Sequence, residues 1–135
     1  EYSVPYLAHI TMEPMNSTAL VKDGKTEVWG GTQNPLGIRA AIAEHLDTDA
    51  ENVVVNNVYL GGGFGRRAMT DYPIQAVKLA NALPGVPVKM IWSREEDVQH
   101  DFYRPAIVSR FKAALGDSGL PTAWENKYVD KHEPK

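Results

Sequence analysis

The stretch that most constrains this chain is VYLGGGFGRRAMTDYP, Val58 to Pro73, with glycine at four of the five positions from Gly61 to Gly65. It lies between a β-branched run and a helix-like pattern. A glycine inside a regular element costs roughly 0.5–1 kcal/mol relative to alanine, so such a cluster marks backbone that must bend tightly or approach something closely. A strand entering this loop and a helix leaving it gather backbone N–H groups near the positive end of a helix. That is a setting for an anion or a polar oxygen.

The rest of the composition bounds what could bind. With 135 residues, 43% of them hydrophobic and 23% charged, the chain can bury one domain core and is not a low-complexity segment. A net charge of −3 gives no global electrostatic case for nucleic acid or an anionic membrane. The chain has no cysteine, and so no disulfide, thiolate metal site or cysteine-held iron–sulfur cluster of its own. No apolar run approaches the roughly 20 residues a membrane-spanning helix needs. The chain starts at Glu1 and ends in YVDKHEPK, directly beside strand-like runs, so residues 1–135 read as a single domain cut from a longer subunit.

Pattern places the glycine loop in a recognisable order of elements. Thr18–Val21 and Thr26–Trp29 flank Asp23-Gly24, a pair suited to a tight hairpin turn. Asn34 and Pro35 open a helix whose inward face carries Ile38, Ala41, Ile42 and Leu46. Asn52–Leu60 is a strand running into the glycines. A second helix spans about Asp71 to Leu83, with Ile74, Val77, Ala80 and Leu83 inward, and Pro84-Gly85 stops it. VPVKMIW reads as a short buried strand. RPAIVSRFKAAL alternates, with Ile107, Phe111, Ala113 and Leu115 on one face, and PTAWENKYV is a further strand. The order β-β-α-β-α-β-β-β predicts an α+β fold with a mixed sheet and two main helices.

No common phosphate or base-binding pattern fits the loop. A Walker-type loop needs Lys-Ser or Lys-Thr where Arg66-Arg67 stand, and G-x-G-x-x-G fails because its third glycine falls on Arg66. The RNA-binding Gly-Phe-Gly pattern needs aromatics where Arg66 and Ala68 occur. An RNA-binding α+β module is therefore the weaker alternative, and a ligand-free strand-to-helix turn the bland one. Three other segments weigh against the bland reading. GGTQNPLGIR is a second strand–glycine–helix unit that presents Gln33, AHITMEPMNSTA holds Glu13 between two methionines, and WSREEDVQHDFYRP is densely charged. Of the histidines, His9, His45, His100 and His132 are scattered, without the spacing of a metal site.

In this order, MEPMN, TQNP, GGGFGRR and SREEDVQHDFYRP resemble the molybdenum-cofactor-binding large (beta) subunit of the xanthine oxidase family, in the isoquinoline 1-oxidoreductase and aldehyde dehydrogenase branch. The resemblance runs from about Leu7 to the end. It implies an oxidoreductase, bacterial in this branch, that oxidises an aldehyde or N-heterocycle with water as oxygen source. The implied cofactor is a molybdenum–pterin in its cytosine dinucleotide form. Gln33 takes the position of the glutamine that addresses a molybdenum oxygen, and Gly62, Gly63, Phe64, Gly65 and Arg66 take that of the loop around the apical oxo group. The implied partners are the remainder of the subunit, a small iron–sulfur subunit and, in this branch, a cytochrome c, with no nucleic acid among them. Two departures stand out. Ala68 replaces the carboxylate that orients a purine, and the family's late Gly-Glu base has no counterpart here, so the 135 residues alone are expected to be inactive. Arg66 and Arg67 read either as partners of a cofactor phosphate or neighbouring carboxylate, or as solvating groups at a helix start. Glu13 reads as a carboxylate near the cofactor or as a turn residue, and Glu95, Glu96 and Asp97 as groups capping or solvating a short turn.

Overall fold

Asp23 and Gly24 turn the chain with φ of 49° and 73°, and the hairpin they close joins β1 (Asn16–Lys22) to β2 (Lys25–Gly30). In the computed structural model, which describes residues 1–130, these strands lie at the centre of a four-stranded sheet ordered β3-β2-β1-β4. β3 (Val53–Asn57) pairs parallel with β2, and β4 (Val88–Ile91) pairs antiparallel with β1, so the sheet is mixed as predicted. The register sets Gly30 opposite Asn57, which brings the loop after β2 and the glycine loop after β3 to the same edge of the sheet.

Two helices cover one face. α1 (Pro35–Leu46) starts at Asn34, whose side chain accepts the Gly37 N–H at 3.0 Å, a cap worth about 1 kcal/mol. It ends at Asp47, in the left-handed region at φ 51°. α2 (Asp71–Asn81) packs Ala76, Val77 and Ala80 against Ala19, Val28, Ile38, Ile42 and Val53, the core of the sheet–helix layer. The helix faces differ in detail from the periodic reading. Ala43 is buried where Ala41 is half-buried, and Leu83 is exposed because α2 stops two residues before it. β3 ends at Asn57, so Val58–Leu60 already belong to the loop.

The acidic segment is a third helix, α3 (Arg94–Gln99), which the sequence reading treated as a turn. Ser93 caps it by accepting the Glu96 N–H at 3.1 Å, and Glu95, Glu96 and Asp97 favour its positive end. Asp97 does not solvate that turn. It is buried, takes a hydrogen bond from Arg94 at 2.8 Å and lies 3.4 Å from the Met15 N–H.

Where the sequence shows no interior linker, the chain separates into two units by its contacts: Ala8–Phe102, and Glu1–Leu7 with the chain from Tyr103 onward. The second unit holds a hairpin of β5 (Ile107–Leu115) and β6 (Pro121–Asp130). The register puts Ile107, Phe111, Ala113 and Leu115 on one face with Trp124 and Tyr128, and all of these residues are exposed. His132 lies outside the described residues.

Candidate functional site

The two glycine-bearing loops meet. Gln33 N–H donates to the Arg67 carbonyl at 3.1 Å, and Gln33 Oε1 accepts the Gly65 N–H at 2.8 Å. Because its oxygen is occupied by the loop, the amide –NH2 end of Gln33 is the free end and presents donors only. A Cβ on Gly63 would stand 2.4 Å from Gln33 Oε1, so Gly63 is glycine because this side chain lies against it. Thr32 fixes the base of the same turn. Its hydroxyl donates to the Arg67 carbonyl at 2.9 Å, while its backbone exchanges hydrogen bonds with the Asn57 side chain at 2.9 and 3.1 Å.

The glycine loop itself is an array of donors. Gly62, Phe64 and Gly65 hold φ of 94°, 52° and 98°, and Phe64 is the one that pays for a side chain there. Among the described residues, the amides of Gly62, Gly63 and Phe64 donate to no protein acceptor. Successive free N–H groups on a tightly turned loop suit an anion or a polar oxygen. The Phe64 side chain is exposed.

Arg66 and Arg67 are both buried, so neither solvates a helix start. Arg67 ties three segments together. Its Nε–H donates to the Gly62 carbonyl at 2.8 Å, and Nη2 donates to the Glu13 carbonyl at 2.8 Å and lies 3.2 Å from the Glu13 carboxylate. Nη1 approaches the Gly31 carbonyl at 3.4 Å, the same oxygen that accepts the Tyr72 hydroxyl at 3.0 Å. Burial pushes the Tyr72 hydroxyl up despite the nearby arginines.

Arg66 holds Asp71 in a bidentate pair at 2.9 and 2.7 Å, between the rings of Trp92 and Phe102 at 5.5 and 5.1 Å. Its Nε lies 3.1 Å from Asp101 without hydrogen-bond geometry. Burial works against its charge, but Asp71 first, then Asp101 and Asp97, hold its pKa above the ordinary value. The guanidinium of Arg66 is thus spent on protein carboxylates.

Glu13 braces the other side of the loop. Its carboxylate accepts the Gly61 N–H and an Asn16 N–H, each at 2.7 Å, while its own N–H donates to the Gly61 carbonyl at 3.1 Å. Burial raises its pKa, but Asn16, Gly61, Arg67 and Lys89 outweigh this and keep it below the usual carboxylate range. These bonds make Glu13 a clamp on the loop. The sequence reading missed two participants, Asp101 and His9, which pair through Asp101 Oδ1 and His9 Nδ1 at 3.0 Å. A His and an Asp 92 positions apart carry no local signal.

Residues 1–133 match the model of the molybdopterin cofactor-binding domain. The chain is 38% identical over 125 residues to the membrane-bound aldehyde dehydrogenase [pyrroloquinoline-quinone] of Gluconacetobacter polyoxogenes, covering 93% of this chain and 16% of that protein. It is 34% identical over 105 residues to isoquinoline 1-oxidoreductase subunit beta of Brevundimonas diminuta, covering 77% and 13%. Its fold matches quinoline 2-oxidoreductase from Pseudomonas putida 86 with a TM-score of 0.67 at 24% identity, over 91% of this chain and 16% of that one. The aldehyde oxidoreductase of Desulfovibrio gigas matches with a TM-score of 0.69 at 20% identity, over 93% and 14%. The chain therefore spans about one-sixth or less of the length of these relatives. It belongs to the molybdopterin cofactor-binding domains of the xanthine oxidase family of molybdenum-dependent oxidoreductases.

Proposed function

We propose that residues 1–135 form one part of the cofactor pocket in a larger molybdenum hydroxylase subunit, which oxidises an aldehyde or an N-heterocycle with water as oxygen source. One observation carries this reading. The free amides of Gly62, Gly63 and Phe64 and the free amide end of Gln33 lie in two loops that leave the same end of the sheet. These residues fit an oxygen-rich group, because the loop amides and the Gln33 –NH2 are all donors and the missing Cβ of Gly63 lets Gln33 lie against the loop. When bound, the molybdenum–pterin cofactor, in its cytosine dinucleotide form, supplies the redox chemistry.

The chain's own residues do the positioning. Gln33 is aimed by the Gly65 N–H, so its –NH2 is a pre-set donor that needs no reorganisation when charge develops on an oxygen beside it. Phe64 and the loop amides are held from beneath by Arg67 and from the side by Glu13. Gly62, Gly63, Phe64 and Gly65 touch the cofactor in this reading, and Arg66 acts from behind as part of the loop's support. Ala68 offers no carboxylate to a purine, which favours aldehydes and N-heterocycles. The base, the remaining cofactor contacts, a small iron–sulfur subunit and a cytochrome c come from outside this chain, so the isolated residues are inactive. General-base help alone is worth about 10²–10⁴ in rate.

The test is Gln33→Ala in the complete enzyme, with molybdenum content and turnover of aldehydes and N-heterocycles measured side by side. Turnover falls by about two orders of magnitude while molybdenum content stays near wild type, as expected for a lost donor to developing charge. Equal loss of both makes Gln33 an anchor. Unchanged turnover removes it from the site.

A further inference from the structure

Among the described residues, His9 is a buried titratable group beside the glycine loop that the preceding account leaves without a role. Its side chain is nine-tenths buried, and Asp101, itself 3% exposed, grips it twice. The carboxylate lies 3.0 and 3.2 Å from Nδ1 and also accepts the His9 backbone N–H. A carboxylate only accepts, so Nδ1 carries a proton toward Asp101, and Nε2 is the ring nitrogen left to meet another group. Among the described residues Nε2 has no hydrogen-bond partner. It is instead the atom nearest to the open side of Gly65, 4.0 Å from where a Cβ would stand.

The surroundings fix this aim. Asp101 is backed by Arg66, which is itself held by Asp71 and stacked between Trp92 and Phe102. The next residue, Ile10, sits at φ 42°, a conformation a β-branched side chain adopts only when its surroundings impose it. A buried imidazole this firmly held, with an unpaired nitrogen turned toward a ligand-shaped loop, is built to meet something outside the protein.

We propose that His9 is a binding residue of the glycine-loop site, hydrogen-bonding through Nε2 to a polar group of the molybdenum–pterin cofactor seated against Gly65. The assignment rests on the cofactor reading above and adds a buried, firmly aimed side chain to a site otherwise made of loop amides and Gln33. A purely structural His9 would need only its bond to Asp101.

Two substitutions separate these roles. Asparagine places an N–H where Nδ1 stands and keeps the Asp101 bond, but it has nothing at the Nε2 position. Glutamine reaches the Nε2 position and gives up the Asp101 bond. The complete enzyme is prepared as wild type, His9→Asn and His9→Gln. Molybdenum per protein is followed through dialysis, and cofactor-free samples are melted. Expected are about fivefold faster molybdenum loss in His9→Asn, the worth of one neutral hydrogen bond, an unchanged cofactor-free melting temperature, and slower loss in His9→Gln than in His9→Asn. Wild-type retention in His9→Asn overturns the proposal. So does loss that tracks a lowered cofactor-free melting temperature, or faster loss in His9→Gln than in His9→Asn. A wild-type enzyme that holds no molybdenum overturns the cofactor reading itself and the His9 assignment with it.

Discussion

Gly63→Ala separates the shape of the site from the stability of the fold. Gly63 is buried but is not among the glycines with positive φ, so alanine meets no backbone penalty there. Its Cβ instead meets Gln33, at 2.4 Å from Oε1, 2.7 Å from Cδ and 3.1 Å from Cγ. Gln33 is exposed, so it swings away and gives up the 2.8 Å bond from the Gly65 N–H. One such bond contributes about 0.5–1.5 kcal/mol, and an exposed one sits at the low end. Replacing glycine by alanine returns about 0.4–1 kcal/mol through the unfolded state. The two nearly cancel, and the melting temperature of the cofactor-free protein moves by no more than about 4 °C.

Turnover responds differently. Removing a pre-aimed donor from a site of developing charge costs on the order of 10²–10³ in rate. The complete enzyme therefore loses about a hundredfold in turnover with little change in stability. The decisive assay is the double-mutant cycle with Gln33→Ala, read in turnover and melting temperature together. With Gln33 truncated there is nothing for the new Cβ to strike, so Gly63→Ala adds no further loss. An equal loss in the Gln33→Ala background would refute the reasoning, because Gly63 would then matter for itself and not for the side chain it admits.

Other perturbations address the supports of the loop. Arg67→Met leaves the Gly62 carbonyl without its donor and the Glu13 carbonyl with the Thr11 hydroxyl alone, removes a buried charge paired with Glu13, and destabilises the cofactor-free protein by about 3 kcal/mol, read by chemical denaturation. Arg67→Lys keeps the charge but not the fork, and recovers only part of that loss. Glu13 contributes stability through a pKa held below its unfolded value, so that stability is present above about pH 4.3 and is lost as pH falls through the lower, folded pKa. Melting curves of wild type and Glu13→Gln between pH 3 and 7 are expected to differ by a constant amount above about pH 5 and to converge below it. Divergence toward acid would reverse the sign of the argument.

The sheet and its two main helices were legible because their signals are local. Asp23-Gly24 needs positive φ and gets it, and Asn34 caps the helix it precedes. The mixed sheet followed from the order of the elements. α3 was not legible as a helix because its acidic run looks solvated, whereas Ser93 caps it and Asp97 turns inward to Arg94. The pairing of the Gln33 loop with the Phe64 loop has a cause in the sheet itself. β2 and β3 are parallel neighbours, so both strands deliver their loops to the same end of the sheet.

Two adjacent arginines are hardest to read from sequence because charged side chains are almost never fully buried unless paired, and their partners lie far apart in the chain. Arg67 reaches Glu13, Gly31 and Gly62, in three motifs that lie up to 54 positions from it in the chain. Arg66 faces the opposite way, into Asp71 and Asp101. Consecutive residues on so tight a turn point apart, so the pair pins the glycine loop from two directions with one short stretch of backbone. This explains how a loop of four glycines, entropically the least inclined to hold a shape, can keep its amides fixed. Its order comes from the arginines that follow it together with the Glu13 and Gln33 bonds. The same logic accounts for His9, since the carboxylate that aims its ring also stands against Arg66, and the loop and the imidazole share one buried anchor.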